Sequence, residues 1–488
     1  MENNLLTLEQ RANRLIVYCP NQTAITDITS FLTFKRPTAD RSRGQVQWKE
    51  VAEPCYKRTD LYNAIECPMG FWQPIIDKFR KRYDIKLIEN RPKRIQENCI
   101  PDWSRLDPNV QFRAGQREVL EKMLEADRGR IIVPTATGKS FLISQYVNLL
   151  PKARIIVTTS SQAVLLQLWE DINKILLGRA GIVCSQKKFS PAARVVCVST
   201  GTLKNYVSLA GEQDIDVVLA DEQHELGSKL RIELFENIRE AKMFGFSANA
   251  TRPDKAEFRI NGLFGPLLAT MNYDDAVDND LVTPICVVWC PVQAHVDPTA
   301  YYDTPIAKEK HGIWRYHKRN TAIAEVAKMF GEEEQVLITV KTIDHALHLH
   351  KLLPDYQVVY SPKDYKELNR FRYLQGVDQV PMLTKERLTY IKKQFELNRI
   401  KKVIATGVWS RGVNFPSLSV LIRADASNSC IADTQWPGRA ARKQDGKEVS
   451  LVFDFTDEYC EQFQRKALAR RKRYKGYGWE QMSLNQLR

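Results

Sequence analysis

The sequence predicts an α/β protein, with two tandem parallel-sheet domains behind a small α+β module, and three observations lead there. From about residue 105, short β-branched runs recur, each followed by a helical pattern: "RIIVP" (130–134), "RIIVTT" (154–159), "RVVCVST" (194–200), "DVVLADE" (216–222) and "KMFGFSA" (242–248). A second set follows: "ICVVWC" (285–290), "QVLITV" (335–340), "YQVVYS" (356–361), "KKVIATG" (401–407), "SVLIRA" (419–424) and "VSLVFDF" (449–455). Continuous apolar strands alternating with helices are what a parallel sheet covered on both faces requires. The third observation is length, because 488 residues exceed one core at about 150 residues per domain.

The elements divide the chain as follows. Residues 1–100 carry mixed patterns, with "FLTFKRPTADRSRGQVQW" as a strand and basic loop and "CPMGFWQPIIDKFRKRY" as a helix with one apolar and one basic side. They form the accessory module, expected to bind DNA. Residues 101–278 form the first sheet domain and 279–456 the second, joined near "NDLVTP" (279–284), where Pro284 ends an element. Residues 457–488 are expected as a basic tail, with "RKALARRKRYKGYGW" (465–479) interleaving cations with aromatics.

Composition narrows the partners. Hydrophobic residues make up 43% and charged residues 27%, as in an ordinary soluble domain. The formal charge of +14 is an excess that an anionic partner would offset, and nucleic acid is the first candidate. The ten cysteines are scattered without a CxxC pair, which favours free thiols in a reducing compartment. The start "MENNLLTLEQ" lacks the order of a targeting segment, and no apolar run is long enough to span a bilayer, so no membrane partner is expected. The sequons at Asn21 and Asn249 are then chance matches.

Three stretches carry chemistry. "RIIVPTATGKSFLISQYV" is a strand, a tight loop and a helix opening at Gly138, Lys139 and Ser140. Such a loop cradles a nucleotide β-phosphate with N–H groups while the lysine reaches the β/γ oxygens and the hydroxyl ligates Mg²⁺. The pattern GxxxxGK[ST] is incomplete, since Val133 stands at its first glycine, and an ordinary strand-to-helix turn is the alternative. "VVLADEQHEL" places Asp221, Glu222 and His224 at a strand end, where one carboxylate can hold Mg²⁺ and the other orient water; a solvated acidic turn is the alternative. "QWPGRAAR" sets Gln435, Arg439 and Arg442 on a helix, and two guanidinium groups three apart share a face fit to stabilise a transferring γ-phosphoryl; a solvated basic helix is the alternative. These arginines belong to the second sheet domain, so domain closure and hydrolysis would be coupled.

With these motifs in order, the chain resembles the superfamily 2 helicases and translocases of the DExH type over roughly residues 110–455. "QFRAGQ" matches the family's adenine-recognition element, "PTATGKS" the first motif, "DEQH" the second, "GFSANATR" the third, "ATGVWSRGVNFP" the fifth and "QWPGRAAR" the sixth. The resemblance implies two RecA-like domains that use ATP and Mg²⁺. It makes Arg113 and Gln116 base contacts, assigns Thr135, Ala136, Thr137, Gly138, Lys139 and Ser140 to the nucleotide, and Ser140 and Asp221 to Mg²⁺. The turn in "VTTSSQAVLLQ" (157–167) matches motif Ia, so Thr158, Thr159 and Gln167 would meet the sugar–phosphate backbone, with Ser199 and Thr200 of "VSTGTL". A plain ST-turn capping a helix is the alternative there. In the second domain Lys341, Thr342, Thr406 and Arg411 hold the equivalent positions. Ser247 and Ala248 of the third motif would couple hydrolysis to strand movement.

Within the superfamily the likeness is to phage recombination helicases of the UvsW type and, more distantly, to branch-migrating enzymes such as RecG. It rests on the basic N-terminal module, the core without a large C-terminal appendage, and "GFSANATRPD". It implies a monomer in a phage-infected or bacterial cytoplasm, acting on single-stranded, duplex or branched DNA, with RNA as the other nucleic acid to weigh. Basic residues from Lys35 to Arg43 and from Lys78 to Arg82 would touch duplex phosphates. An ATP-gated clamp and a restriction-type motor subunit are the remaining alternatives. Departures are Asn249 in place of the third motif's threonine, Asn414 where relatives have an acid, Gln223 in place of a small residue, and a long interval at 362–392. "HALHLH" (345–350) puts His345 and His348 on one helical face, where a helix surface is expected over a metal pair. The cysteines of "CVVWC" (286–290) are expected as core.

Overall fold

The computed structural model describes residues 4–11, 13–40, 47–90, 92–210, 215–236, 238, 240–248, 255–361, 383–409, 413, 415–444 and 446–487. Arg411, Asn249, Asn414 and most of the 362–392 interval lie outside them. Two compact units divide between Met271 and Asn272. That is earlier than residue 278, because the helix Tyr273–Asp278 opens with a capping box at Asn272 and is built into the second unit. There the Tyr273 hydroxyl accepts from the backbone N–H of Ile285 at 2.6 Å, and its ring meets Trp479.

The first unit holds an eight-stranded sheet in the order Lys188–Phe189, Gly181–Val183, Val195–Ser199, Ile155–Thr159, Val217–Ala220, Lys242–Ser247, Arg128–Ile132 and Leu267–Thr270. All neighbours run parallel except the short first pair. The central strands are apolar on both faces, and two clusters of buried side chains cover them. Every strand named from the sequence is present. Leu267–Thr270 has no counterpart among the apolar runs of the sequence, because an edge strand with partly exposed side chains needs none.

Residues 4–90 form the expected α+β module, a five-stranded sheet in the order Lys57–Arg58, Ala64–Pro68, Arg14–Tyr18, Leu5–Arg11 and Asp84–Ile88, with a hairpin Thr33–Asp40/Gln47–Pro54. It is docked on the first α/β domain. A Cβ on Gly70 would lie 2.4 Å from the carbonyl of Gly262 and 2.5 Å from that of Asn261, so backbone meets backbone there. Phe71 packs on Phe258 at 4.9 Å, Asn13 accepts from buried Arg128, and Arg259 pairs with Glu53. Lys78, Arg80, Lys81 and Arg82 stay exposed on the module's surface, with Arg82 paired to Asp27 at 2.6 Å.

The second unit holds a seven-stranded, fully parallel sheet in the order Gln357–Val359, Lys402–Ala405, Val336–Thr339, Val420–Arg423, Ser450–Asp457, Ile285–Val292 and Glu480–Ser483. Cys286 and Cys290 are core residues of Ile285–Val292, as expected. Residues 457–488 are not a tail. The helix Glu461–Gly476 packs back on the sheet and Glu480–Ser483 adds its last strand. The basic run is drawn inward because Arg470 makes two 2.9 Å bonds to Asp454 and the Tyr474 hydroxyl donates to the same carboxylate. Tyr474 and Trp479 are buried, so neither presents a face to a base. His345 also departs from expectation. It is fully buried, its Nε2 lies 3.1 Å from Asn320 Oδ1, and only His348 of the pair is partly exposed.

Candidate active site

In a parallel sheet the carboxyl ends of the strands gather loops and helix N-termini, where ligands bind. Arg128–Ile132 ends in the loop 133–138, whose Ala136 and Gly138 take left-handed backbone at φ +74° and +96° before the helix Lys139–Leu149 begins. Gly138 is required, because a Cβ there would lie 2.4 Å from the amide nitrogen of Gln116. Gln116 is itself buried and its Oε1 accepts from the backbone N–H of Arg113 at 2.9 Å, so the "QFRAGQ" element and the phosphate loop are packed as one piece. Arg113 is exposed, Thr137 is buried, and Thr135, Ala136 and Ser140 are half-buried. Lys139 folds back on its loop, with Nζ donating to the carbonyls of Val133 and Pro134 at 3.1 Å each.

Val217–Ala220 delivers Asp221, Glu222, Gln223 and His224 to the same end of the sheet. Glu222 sits at φ +54°, a left-handed conformation that a non-glycine residue adopts only when its surroundings impose it. Burial, reinforced by the adjacent Glu222 carboxylate, pushes Asp221 up to about 7, while Lys139 pulls the other way. Asp221 Oδ1 is buried and accepts no hydrogen bond among the described residues. A desolvated carboxylate beside a second carboxylate is a poor structural group and a good ligand for a hard divalent cation. The chemistry of this carboxylate pair therefore fits Mg²⁺, which Asp221 would hold.

His224 Nδ1 lies 3.0 Å from the hydroxyl of fully buried Ser247 and 3.3 Å from Glu222. Ser247 ends the strand Lys242–Ser247, which lies directly between the strand of the acidic motif and the strand that leads into the loop 133–138. Ala248 follows it, half-buried. Gln223 has a structural reason that the sequence did not reveal. Its Oε1 occupies the space above Gly245, where a Cβ would come within 2.2 Å, so the larger residue in the acidic motif is matched by a glycine on the neighbouring strand.

The expected backbone-binding residues divide. Thr158 and Thr159 are buried in the strand Ile155–Thr159, with Thr158 Oγ1 3.3 Å from Thr200 Oγ1, and Ser199 and Thr200 are buried as well. The Ser199 hydroxyl is bonded to Thr202 Oγ1 at 2.8 Å, and all four side chains are withdrawn from solvent. The turn's accessible groups are Ser160, which donates to Glu225, and Ser161, whose side chain caps the helix Gln162–Ile175. Gln167 is half-buried on that helix.

In the second unit Lys341 pairs with Glu309 at 2.6 Å, Thr342 caps the helix Ile343–His350, and Thr406 is buried. Gln435 and Arg439 lie buried on the helix Cys430–Ala440, with Arg439 donating to the carbonyl of Val413 at 2.9 Å. Arg442 does not share the helix face expected of it. The helix ends at Ala440, and backbone pairing of Arg442 with Val282 carries the chain away. Burial lowers its guanidinium to about 10, which leaves it a cation at neutral pH.

The family model described as type III restriction enzyme, res subunit, matches residues 109–252, and that of the helicase conserved C-terminal domain matches residues 318–444. The XPB helicase/translocase subunit of general transcription and DNA repair factor IIH from Enterocytozoon bieneusi is 22% identical over 372 residues, covering 69% of this chain and 56% of its own. The chain thus spans little more than half of that relative. Putative helicase 22 of the Sulfolobus islandicus filamentous virus is 21% identical over 487 residues, covering 93% of this chain and 80% of its own. Among solved structures, Saccharomyces cerevisiae Dbp5 bound to RNA and ADP BeF3 shares the fold at a TM-score of 0.52, with 14% identity, 81% of this chain and 94% of that chain. With one helicase domain model on each of its two parallel-sheet units, the chain belongs to the superfamily 2 helicases.

Proposed function

We propose that the chain is an ATP-dependent DNA translocase that couples hydrolysis to unwinding or branch migration of branched DNA. The observation that carries the hydrolytic part is the desolvated Asp221 carboxylate, under the opposing charges of Glu222 and Lys139. In this reading Lys139 leaves its loop carbonyls for the β/γ-phosphates, Gln116 and Arg113 hold the base, and Asp221 with Ser140 holds Mg²⁺. Glu222 orients the attacking water, and His224 reports the state of that carboxylate to Ser247. Bound Mg²⁺ supplies charge neutralisation at the β- and γ-phosphate oxygens. Arg439, with Gln435 on the same helix Cys430–Ala440, is assigned to the γ-phosphoryl, and Arg442, which lies beyond the end of that helix, is not.

The preference for DNA rests on the XPB relative and on the net charge of +14. Branched DNA is the finer part of the proposal and rests on the UvsW-type motif pattern together with the exposed cations of the accessory module. The test is steady-state ATPase with no nucleic acid, single-stranded DNA, duplex, a four-way junction and single-stranded RNA, beside Lys139→Ala. Stimulation by the junction above the other DNAs, lost in the variant, is expected. Stimulation by RNA alone would replace DNA with RNA as substrate, and no stimulation by any nucleic acid would overturn the motor in favour of a clamp.

A further inference from the structure

The cations of the C-terminal helix Glu461–Gly476 have a use other than nucleic-acid binding. Asp433, fully buried on the helix that carries Gln435 and Arg439, accepts from Arg423 Nη1 at 2.6 Å and from Arg473 Nε at 2.6 Å. Arg473 also donates to Asn428, just before that helix begins, and so holds both its entry and its first turns. Arg423 ends the strand Val420–Arg423 and donates to Asp425 at 3.0 Å. Arg423 also donates to the Tyr474 hydroxyl, which in turn donates to Asp454 at 2.9 Å, and Arg470 closes the set on Asp454. Three arginines, three aspartates and one tyrosine thus join two strands, the arginine helix and the C-terminal helix.

The arginine helix runs unbroken from Cys430 to Ala440 but lacks one of its backbone hydrogen bonds. Pro437 stands inside it between Gln435 and Arg439, without an N–H to donate to the carbonyl of Asp433, and Gly438 follows with no side chain to stiffen the turn. The missing bond falls between the half that Asp433 anchors and Arg439, the residue to which the ATPase reading gives the γ-phosphoryl. Where backbone bonding is interrupted, side-chain anchoring of the first half decides where the second half starts.

We propose that the C-terminal helix is a positioning element for ATP hydrolysis, with Arg473 and Asp433 as positioning residues that set Gln435 and Arg439. The inference rests on the ATPase reading above and extends it to a segment outside both helicase domain matches. Arg473 is the accessible handle, since its side chain is 25% exposed whereas those of Asp433 and Arg423 are sealed.

The experiment uses the full chain at saturating DNA, with ATP titrations of wild type, Arg473→Gln, Arg473→Lys and Lys472→Ala/Lys475→Ala, whose two lysines are exposed on the same helix. Arg473→Gln is expected to lower kcat roughly ten- to a hundredfold, as misplacement of a transition-state group does. KM for ATP and DNA affinity should hold, Arg473→Lys should recover part of kcat, and the lysine pair should leave kcat intact. Unfolding curves give the folded fraction at the assay temperature. Unchanged kcat per folded molecule in Arg473→Gln overturns the proposal, and so does a loss confined to DNA affinity. A wild type no faster than Lys139→Ala overturns the ATPase reading, and the positioning role with it.

Discussion

At the scale of single residues, small spaces govern the acidic motif. Gly245→Ala would drive a Cβ to 2.2 Å from Oε1 of buried Gln223 and 3.0 Å from the Phe264 ring. Overpacking of this kind costs about 1–3 kcal/mol, and because Gln223 stands between Glu222 and His224 the displacement should lower ATPase as well as stability. Gln223→Ala in the same chain should restore both, and denaturant titration beside ATPase would check it; no rescue would mean that Phe264 is the obstacle. His345 sets a pH limit. Burial, with Arg319 nearby, holds its imidazole well below 6.5 in the folded state. The unfolded chain takes up that proton near pH 6.5 and the folded chain does not, so stability is complete above about 6.5 and falls below it by at most about 1.4 kcal/mol per pH unit. His345→Gln should show a shallower decline of Tm between pH 7 and 5, and an equal decline would place the proton elsewhere.

At the scale of elements, what was legible in the sequence was whatever repeats or obeys a motif. The continuous apolar runs located the central strands, and the order of the motifs singled out Lys139, Asp221 and Arg439 for the proposed site. Contacts made across sequence left no local trace. Thr158 and Thr159 looked like a phosphate-facing turn, but a strand covered on both faces buries its hydroxyls. "RKALARRKRY" looked solvated because Asp454, which pairs with buried Arg470, and Asp433, which pairs with half-buried Arg473, lie 16 and 40 positions away. Arg470 gives the sharpest element-scale prediction. Its guanidinium is 1% exposed on Asp454, and Arg470→Ala would leave a buried carboxylate unpaired, at a cost of about 3–5 kcal/mol. Chemical denaturation of the two proteins measures this directly, and a loss below 1 kcal/mol, the range of an exposed pair, would show that Asp454 finds another partner.

At the scale of the whole molecule, the accessory module cannot be studied simply by removing it. Deleting residues 1–100 would uncover Phe258, the backbone around Gly262 and the buried Arg128 guanidinium, so a loss of function would not separate DNA binding from damage to the first sheet domain. Lys78, Arg80 and Lys81 avoid that difficulty, since all three are exposed on the module. If they meet duplex phosphates, each contact releases counterions, and the slope of log affinity against log salt carries about 0.9 per phosphate. Replacing all three by alanine should therefore flatten the slope for a four-way junction by about 2–3 and weaken junction binding most at low salt. Stimulation of the ATPase by single-stranded DNA should survive, because the hydrolytic groups and the motif Ia turn lie on the α/β domains. An unchanged slope would leave the module as a docked support for the first sheet domain and move the duplex contact, and with it the basis of junction preference, to the other basic segment between Lys35 and Arg43.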